Sequence, residues 1–199
     1  MIALIDYGVG NLYSVEKALN FVGGNVKITS RAEDLRRAEK IILPGVGAFG
    51  DCMKNLEATG LIPTILEEVA KKKFLLGICV GLQILFEESE ESPNVKGLGI
   101  FKGKVKKISA KNLKIPHMGW NSVEMTNSKL FADVKKNSYF YFVHSYHAAP
   151  FEKNFIIATT DYEEKITAAV ESENIFATQF HPEKSGDVGL KILKNFVEL

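Results

Sequence analysis

From Met1 to about Glu88, short apolar runs alternate with amphipathic stretches. Ile2–Ile5 predicts a buried strand, followed by a glycine-containing loop and a helix from Ser14 to Phe21. Val15, Ala18, Leu19 and Val22 fall on one face of that helix. Val26–Thr29 and Ile41–Leu43 predict two further short strands. Leu61, Ile65, Leu66 and Val69 recur at helical spacing between Leu61 and Lys73. Phe74–Ile78 predicts another buried strand, and Gly81–Phe86 the opening of a helix through Leu82, Leu85 and Phe86. Strands alternating with helices imply a parallel sheet covered on both faces.

The texture changes at Gly99. Lys102–Ile108, Trp120–Met125, Tyr139–His144, Phe155–Thr160, Thr167–Ser172 and Ile175–Phe180 all predict strands, joined mostly by short turns. Ser185–Leu199 closes the chain as a helix with Val188, Ile192, Leu193 and Phe196 on one face and Ser185 as N-cap. The expected fold is α/β: one domain over residues 1–199, with a central, mainly parallel sheet flanked by helices and an antiparallel extension in the C-terminal half.

Composition narrows the function. A chain of 199 residues is long enough to bury a core without disulfide or metal. A formal net charge of +1 excludes a general affinity for nucleic acid or anionic membranes. Cys52 and Cys79 are the only cysteines, which excludes a disulfide framework and points to a reducing compartment. The longest apolar run, Phe74–Phe86, is interrupted by Gln83 and falls short of the roughly 20 residues of a membrane span. No basic region precedes Ile2–Ile5, so no signal peptide is expected and the cytoplasm is the expected location. Glu87–Glu91 is read as the end of a helix, since carboxylates are unfavourable there. The lysines between Lys102 and Lys114 are read as a solvated strand face, for nothing aromatic is interleaved.

The candidate chemistry lies in Gly77-Ile78-Cys79-Val80-Gly81-Leu82-Gln83. Cys79 sits where a buried strand turns into a helix, between two glycines, in a cysteine version of the G-x-S-x-G elbow. Such a turn strains the backbone at the nucleophile and aims its sulfur at a helix start, which favours thiolate. The Val80 N–H is then placed to donate to an oxyanion. A nucleophile needs a base, and His117, His144, His147 and His181 are the candidates. Only His181 carries a carboxylate two residues on, Glu183, on the same side of an extended chain; that carboxylate can orient the imidazole. His144 and His147 lack such a neighbour and a third metal ligand. Cys52 falls on a predicted helix and is expected to be structural. Gly8-x-Gly10 has Tyr13 where a dinucleotide fingerprint needs a third glycine. No cofactor or metal site is expected.

Gly-Ile-Cys-Val-Gly-Leu-Gln, followed about a hundred residues later by His-Pro-Glu, resembles the class I, triad-type glutamine amidotransferases over essentially the whole chain. The resemblance implies an α/β domain around a mixed sheet. It also implies that Cys79 attacks the side-chain amide of glutamine, with His181 as acid and base and Glu183 orienting it. Asp6–Asn11, Pro44–Gly50, Pro116–Asn121 and Tyr141–Tyr146 resemble, more narrowly, the glutaminase subunits of imidazole glycerol phosphate synthase. That narrower resemblance assigns Gly47, Gln83, Ser145 and Tyr146 to glutamine binding. It implies a separate (β/α)8-barrel cyclase as partner in a 1:1 heterodimer, with Asn11 and Trp120 on the docking face. Val80 and Gly47 are the expected oxyanion donors. Val46 is β-branched and lies between glycines, so the Val46–Gly47 peptide is expected to rest with its carbonyl toward the pocket. Two alternatives stand beside this reading: a paralogous amidotransferase serving another acceptor, and a non-catalytic binding subunit of the same fold.

Overall fold

The computed structural model describes residues 1–199. The chain opens with β1 (Ile2–Ile5), α1 (Leu12–Phe21), β2 (Val26–Thr29), α2 (Ala32–Arg37) and β3 (Lys40–Leu43). Two helices, α3 (Phe49–Ala58) and α4 (Ile62–Ala70), precede β4 (Phe74–Ile78), and α5 (Val80–Gln83) is a single turn. Next come β5 (Phe86–Ser89), β6 (Phe101–Lys107), β7 (His117–Ser122) and β8 (Glu124–Met125). β9 (Tyr139–His144), β10 (Tyr146–Pro150), β11 (Ile156–Asp161), β12 (Lys165–Ser172) and β13 (Ile175–Thr178) lead to α6 (Gly186–Glu198).

Eight strands form the main sheet in the order β2-β1-β3-β4-β13-β12-β11-β8. The pairs from β2 to β13 are parallel, and those from β13 to β8 antiparallel. β1, β3 and β13 are buried along their whole length, which explains sequences that are apolar but for Lys40 at the start of β3 and Thr178 at the end of β13. Right-handed crossovers place α1 on the face opposite α2 and α4, because the step from β1 to β2 runs against the later ones. α1 packs on α6, and α2 on α4. The antiparallel extension is therefore present, but part of the expected strand set forms two small sheets of its own, β10-β6-β5 and β7-β9.

Several expected boundaries move for local reasons. α1 starts two residues early because the Asn11 side chain accepts the Ser14 N–H at 3.2 Å and caps it. The helix after Cys79 ends at Gln83 rather than continuing through Phe86, which opens β5 opposite Phe101. A continuous apolar run does not distinguish these two outcomes. The acidic run thus lies on and just after a strand instead of a helix end, and it meets the basic one. Glu87 pairs with Lys102 at 2.7 Å and Glu90 with Lys104 at 3.0 Å. The strand expected from Trp120 starts earlier, at His117, and Trp120 pairs with Tyr141 of β9.

Candidate active site

The two halves of the site meet because β4 and β13 pair in parallel, with Ile78 opposite Thr178. The Cys79 N–H donates to the Thr178 carbonyl at 2.8 Å, just past the ends of both strands. Cys79 has φ 56° and ψ −112°, a left-handed conformation costing on the order of 1–3 kcal/mol in a non-glycine residue. The flanking glycines make it feasible. A Cβ on Gly81 would sit 2.0 Å from the Leu43 carbonyl oxygen, and one on Gly77 would sit 2.8 Å from the Gly81 oxygen. The elbow expected from the sequence is present.

His181 is held by its own backbone: its N–H donates to Tyr141 O at 3.0 Å. Ser185 does not cap α6 with its side chain. Its hydroxyl donates to His181 O at 2.6 Å and accepts the Tyr141 N–H at 3.0 Å, tying His181 to β9. Glu183 reaches His181 through a 3-10 turn over Pro182–Lys184, not through an extended strand; proline, with no N–H and φ preset, suits that first turn. His181 Nδ1 and Glu183 Oε1 are 2.8 Å apart, and both side chains are buried. His181 Nε2 has no hydrogen-bond partner at rest, and the Cys79 thiol is approached instead by Gln179 Nε2 at 3.8 Å.

Electrostatics separates the four histidines. Burial opposes charge on His181, yet the nearby Cys79 sulfur and Glu183 carboxylate outweigh it and push its pKa up to about 10. Burial lowers His117 to about 4, His144 to about 3 and His147 to about 4, so these three are neutral near pH 7.

A cleft of about 430 Å³ opens over Cys79 and His181. Gly47, Val80, Gln83, Ser145 and Tyr146 line it, as do Glu91, His144 and Lys184. Glu183 stands behind His181, out of the cleft; Asn11 and Trp120 do not line it. Gln83 Nε2 donates to Tyr146 O at 2.9 Å and to Gln179 Oε1 at 3.1 Å, which commits both of its protons. Glu91 accepts the Phe49 N–H at 2.8 Å. Reasoning from sequence missed Gln179, Glu91 and Lys184. The one available signal was that Gln179 and Lys184 flank the His-Pro-Glu motif.

The Pro44–Val46 carbonyls are all engaged. Tyr7 donates to Pro44 O at 2.5 Å, Val80 N–H to Gly45 O at 3.3 Å, and Cys52 Sγ to Val46 O at 3.3 Å. Burial pushes the Cys52 thiol up to about 11 and raises the Tyr7 phenol, so both remain donors. The Val46 carbonyl is thus turned to Cys52 of α3, contrary to the expected resting orientation toward the pocket. Of the two N–H groups expected to receive an oxyanion, that of Val80 is engaged at rest. Gly47 takes φ +90°, which its missing side chain permits.

A strained cysteine beside a histidine–glutamate pair, under a cleft lined by amide and carboxylate groups, is equipped for acyl transfer from a small polar amide. Residues 3–199 match the family described as glutamine amidotransferase class-I, and the chain belongs to that family. Its fold is similar to that of a solved glutamine amidotransferase, with a TM-score of 0.78 at 17% identity over the full length of both chains. Far greater sequence similarity links it to imidazole glycerol phosphate synthase subunit HisH. It is 52% identical to that of Methanocaldococcus jannaschii and 50% identical to subunit HisH 1 of Methanococcus maripaludis, each comparison covering 100% of both chains.

Proposed function

We propose that this chain is the glutaminase subunit of an imidazole glycerol phosphate synthase, with Cys79, His181 and Glu183 as its catalytic triad. The observation that carries the triad is geometric: His181 Nδ1 lies 2.8 Å from the buried Glu183 Oε1 while its unpartnered Nε2 shares one cleft with Cys79.

In this reading the Cys79 proton rests on His181 Nε2, whose pKa is raised, and the thiolate sulfur attacks the carboxamide carbon of L-glutamine. Val80 and Gly47 N–H groups receive the developing oxyanion. The C–N bond breaks as His181 returns the proton to the leaving nitrogen, releasing ammonia and leaving a γ-glutamyl thioester. Water then gives a proton to His181 and a hydroxyl to the thioester carbon; glutamate departs and the thiolate–imidazolium pair is restored. Because both Gln83 protons are committed, its Oε1 remains to accept an N–H of the substrate. Glu91 offers a carboxylate to the α-ammonium, and Ser145 and Tyr146 complete the binding wall.

The ammonia is used elsewhere. We assign the acceptor step to a separate (β/α)8-barrel cyclase in a 1:1 heterodimer, which converts a phosphoribulosyl-formimino intermediate into imidazole glycerol phosphate and aminoimidazole carboxamide ribotide. Exposed apolar side chains on β7, Met118 at 62% and Trp120 at 56%, support a docking face there, and we assign Asn11 to the same interface. No helix is long and apolar enough to cross a membrane, in keeping with a cytoplasmic enzyme. The test is glutamate release by the chain with and without a cyclase and its acceptor. Release that depends on both supports the assignment; an isolated chain that itself aminates an acceptor from glutamine overturns the division of labour.

A further inference from the structure

β7 has two faces. Met118 and Trp120 point outward, while His117 and Asn121 belong to a buried polar chain that runs toward the cleft. His117 Nδ1 and His144 Nε2 are 2.9 Å apart, His144 Nδ1 lies 2.9 Å from Tyr146 O, and Asn121 Nδ2 lies 3.2 Å from His117 Nε2.

The polarity of this chain is determined from its end. Tyr146 O can only accept, so His144 Nδ1 carries the proton. Burial keeps His144 neutral, so its Nε2 is bare and must accept, and His117 Nδ1 therefore carries a proton. His117 is neutral for the same reason, which leaves its Nε2 to accept from Asn121. Asn121 closes the series: the same Nδ2 also donates to Asp161 O at 2.9 Å, and its Oδ1 accepts the Ser122 N–H at 2.9 Å. Each contact has one donor and one acceptor, and reversing any group would set donor against donor or acceptor against acceptor.

The chain ends on the carbonyl that also receives Gln83 Nε2, and Gln83 leads through Gln179 to the Cys79 sulfur. We propose that His117 and His144 are positioning residues for glutamine: His144 donates to the Tyr146 carbonyl and His117 to His144, and together they fix where that carbonyl meets Gln83 and so keep Gln83 Oε1 presented to the substrate. His117 is itself clamped between rings, with centroids 4.7 Å from Phe142 and 4.1 Å from Tyr162, so the relay has a rigid anchor. The proposal rests on the glutaminase reading and adds two residues to it that touch no reacting atom.

The probe is the chloroketone analogue of L-glutamine, from which the Cys79 sulfur displaces chloride; labelling of the intact chain is followed by mass, and folding by thermal melting. His144→Phe keeps ring volume but donates nothing. His144→Asn places an amide N–H where Nδ1 was and still donates to Tyr146 O. For a positioning role, His144→Phe raises the half-saturating concentration of the label about tenfold, the effect of one hydrogen bond on an affinity. His144→Asn restores it to within about threefold of wild type. If His144→Phe shows no cooperative melting, His117→Phe is judged by the same shift. Equal half-saturation in all variants, or His144→Asn as impaired as His144→Phe, overturns the proposal. A wild-type chain that iodoacetamide alkylates at Cys79 but the chloroketone leaves untouched overturns the glutaminase reading, and the relay with it.

Discussion

Glu183→Gln isolates the contribution of one buried charge. The substitution keeps the shape of the side chain and lets an amide oxygen still accept the His181 Nδ1 proton, so the tautomer survives. Two things are lost. The new NH2 takes the place of Glu183 Oε2, which has no partner, so a buried donor is left unsatisfied at a cost of about 1–3 kcal/mol of stability. The imidazolium also loses its counter-charge. His181 stands at about 10, whereas His117 and His144, buried without a carboxylate partner, stand at about 4 and about 3. Losing the Glu183 charge lowers the His181 pKa and is expected to cost on the order of a hundredfold in rate, the scale of one catalytic electrostatic contact. The assay is glutamate release by the complex with cyclase and acceptor. A kcat about a hundredfold lower is expected at little change in KM, milder than the loss in His181→Ala.

The same substitution has a stability signature whose sign is determined. The folded pKa of His181 lies above its unfolded value of about 6.5, so the stabilisation is complete below pH 6.5 and disappears as pH rises toward 10. Melting curves should therefore show the largest difference between wild type and Glu183→Gln below pH 6.5, narrowing above it. A variant within threefold of wild-type kcat, with a pH-independent stability difference, would falsify the role assigned to Glu183.

Cys79→Ala should abolish glutamine hydrolysis while the fold and cyclase binding persist; glutamate release by that variant would exclude Cys79 as nucleophile. Gly81→Ala should destabilise the chain by about 3 kcal/mol or more, since its Cβ meets the Leu43 carbonyl oxygen at 2.0 Å with backbone on both sides. Denaturant midpoints equal to wild type would contradict the packing described for the elbow. The free subunit should hydrolyse glutamine at least about a hundredfold more slowly than the acceptor-bound complex, because the Val80 N–H is spent on Gly45 O at rest; equal rates would refute this. Three buried neutral histidines should make the fold acid-sensitive. With folded values near 3 to 4 against about 6.5 unfolded, their stabilisation is intact above pH 6.5 and falls by up to about 4 kcal/mol per pH unit on acidification toward pH 4. Unchanged urea midpoints between pH 7 and pH 5 would count against it.

The parts of the site legible in the sequence were those whose chemistry is local. Cys79 with its two glycines and His181 with Glu183 two residues away each lie within one short segment. The relay and Gln179 were not legible, because their roles arise from pairings of distant segments. His117 meets His144 only through the β7–β9 register, and Gln83 meets Tyr146 O only after β4 and β10 are in place. Among the elements, the core strands were found where apolar residues are continuous. α2 escaped because Leu35 is the one apolar residue it buries deeply, and β5 because Ile84–Phe86 continues the apolar run of the preceding turn. The first residues of β7 were missed for a related reason: Gly119 is a turn former, as is Pro116 just before the strand, yet here His117–Gly119 pair with a neighbouring strand.

The location of the proposed triad follows from strand pairing. β4 and β13 run in parallel side by side, so the elbow at Cys79 and the segment carrying His181 leave the sheet at the same edge, and the cleft lies beyond the carboxyl ends of both strands. That position has a consequence for the strain at Cys79. An isolated chain would relax φ 56° at a gain of about 1–3 kcal/mol. Here relaxation would have to break the Cys79 N–H bond to Thr178 O and move Gly81 off the Leu43 carbonyl, disturbing β3, β4 and β13 together. The strained turn persists because three buried strands hold it, and those strands are the ones that bring His181 to it across about a hundred residues of sequence. Nucleophile geometry and base placement are therefore one structural property, and a substitution that frees the elbow should also displace the histidine.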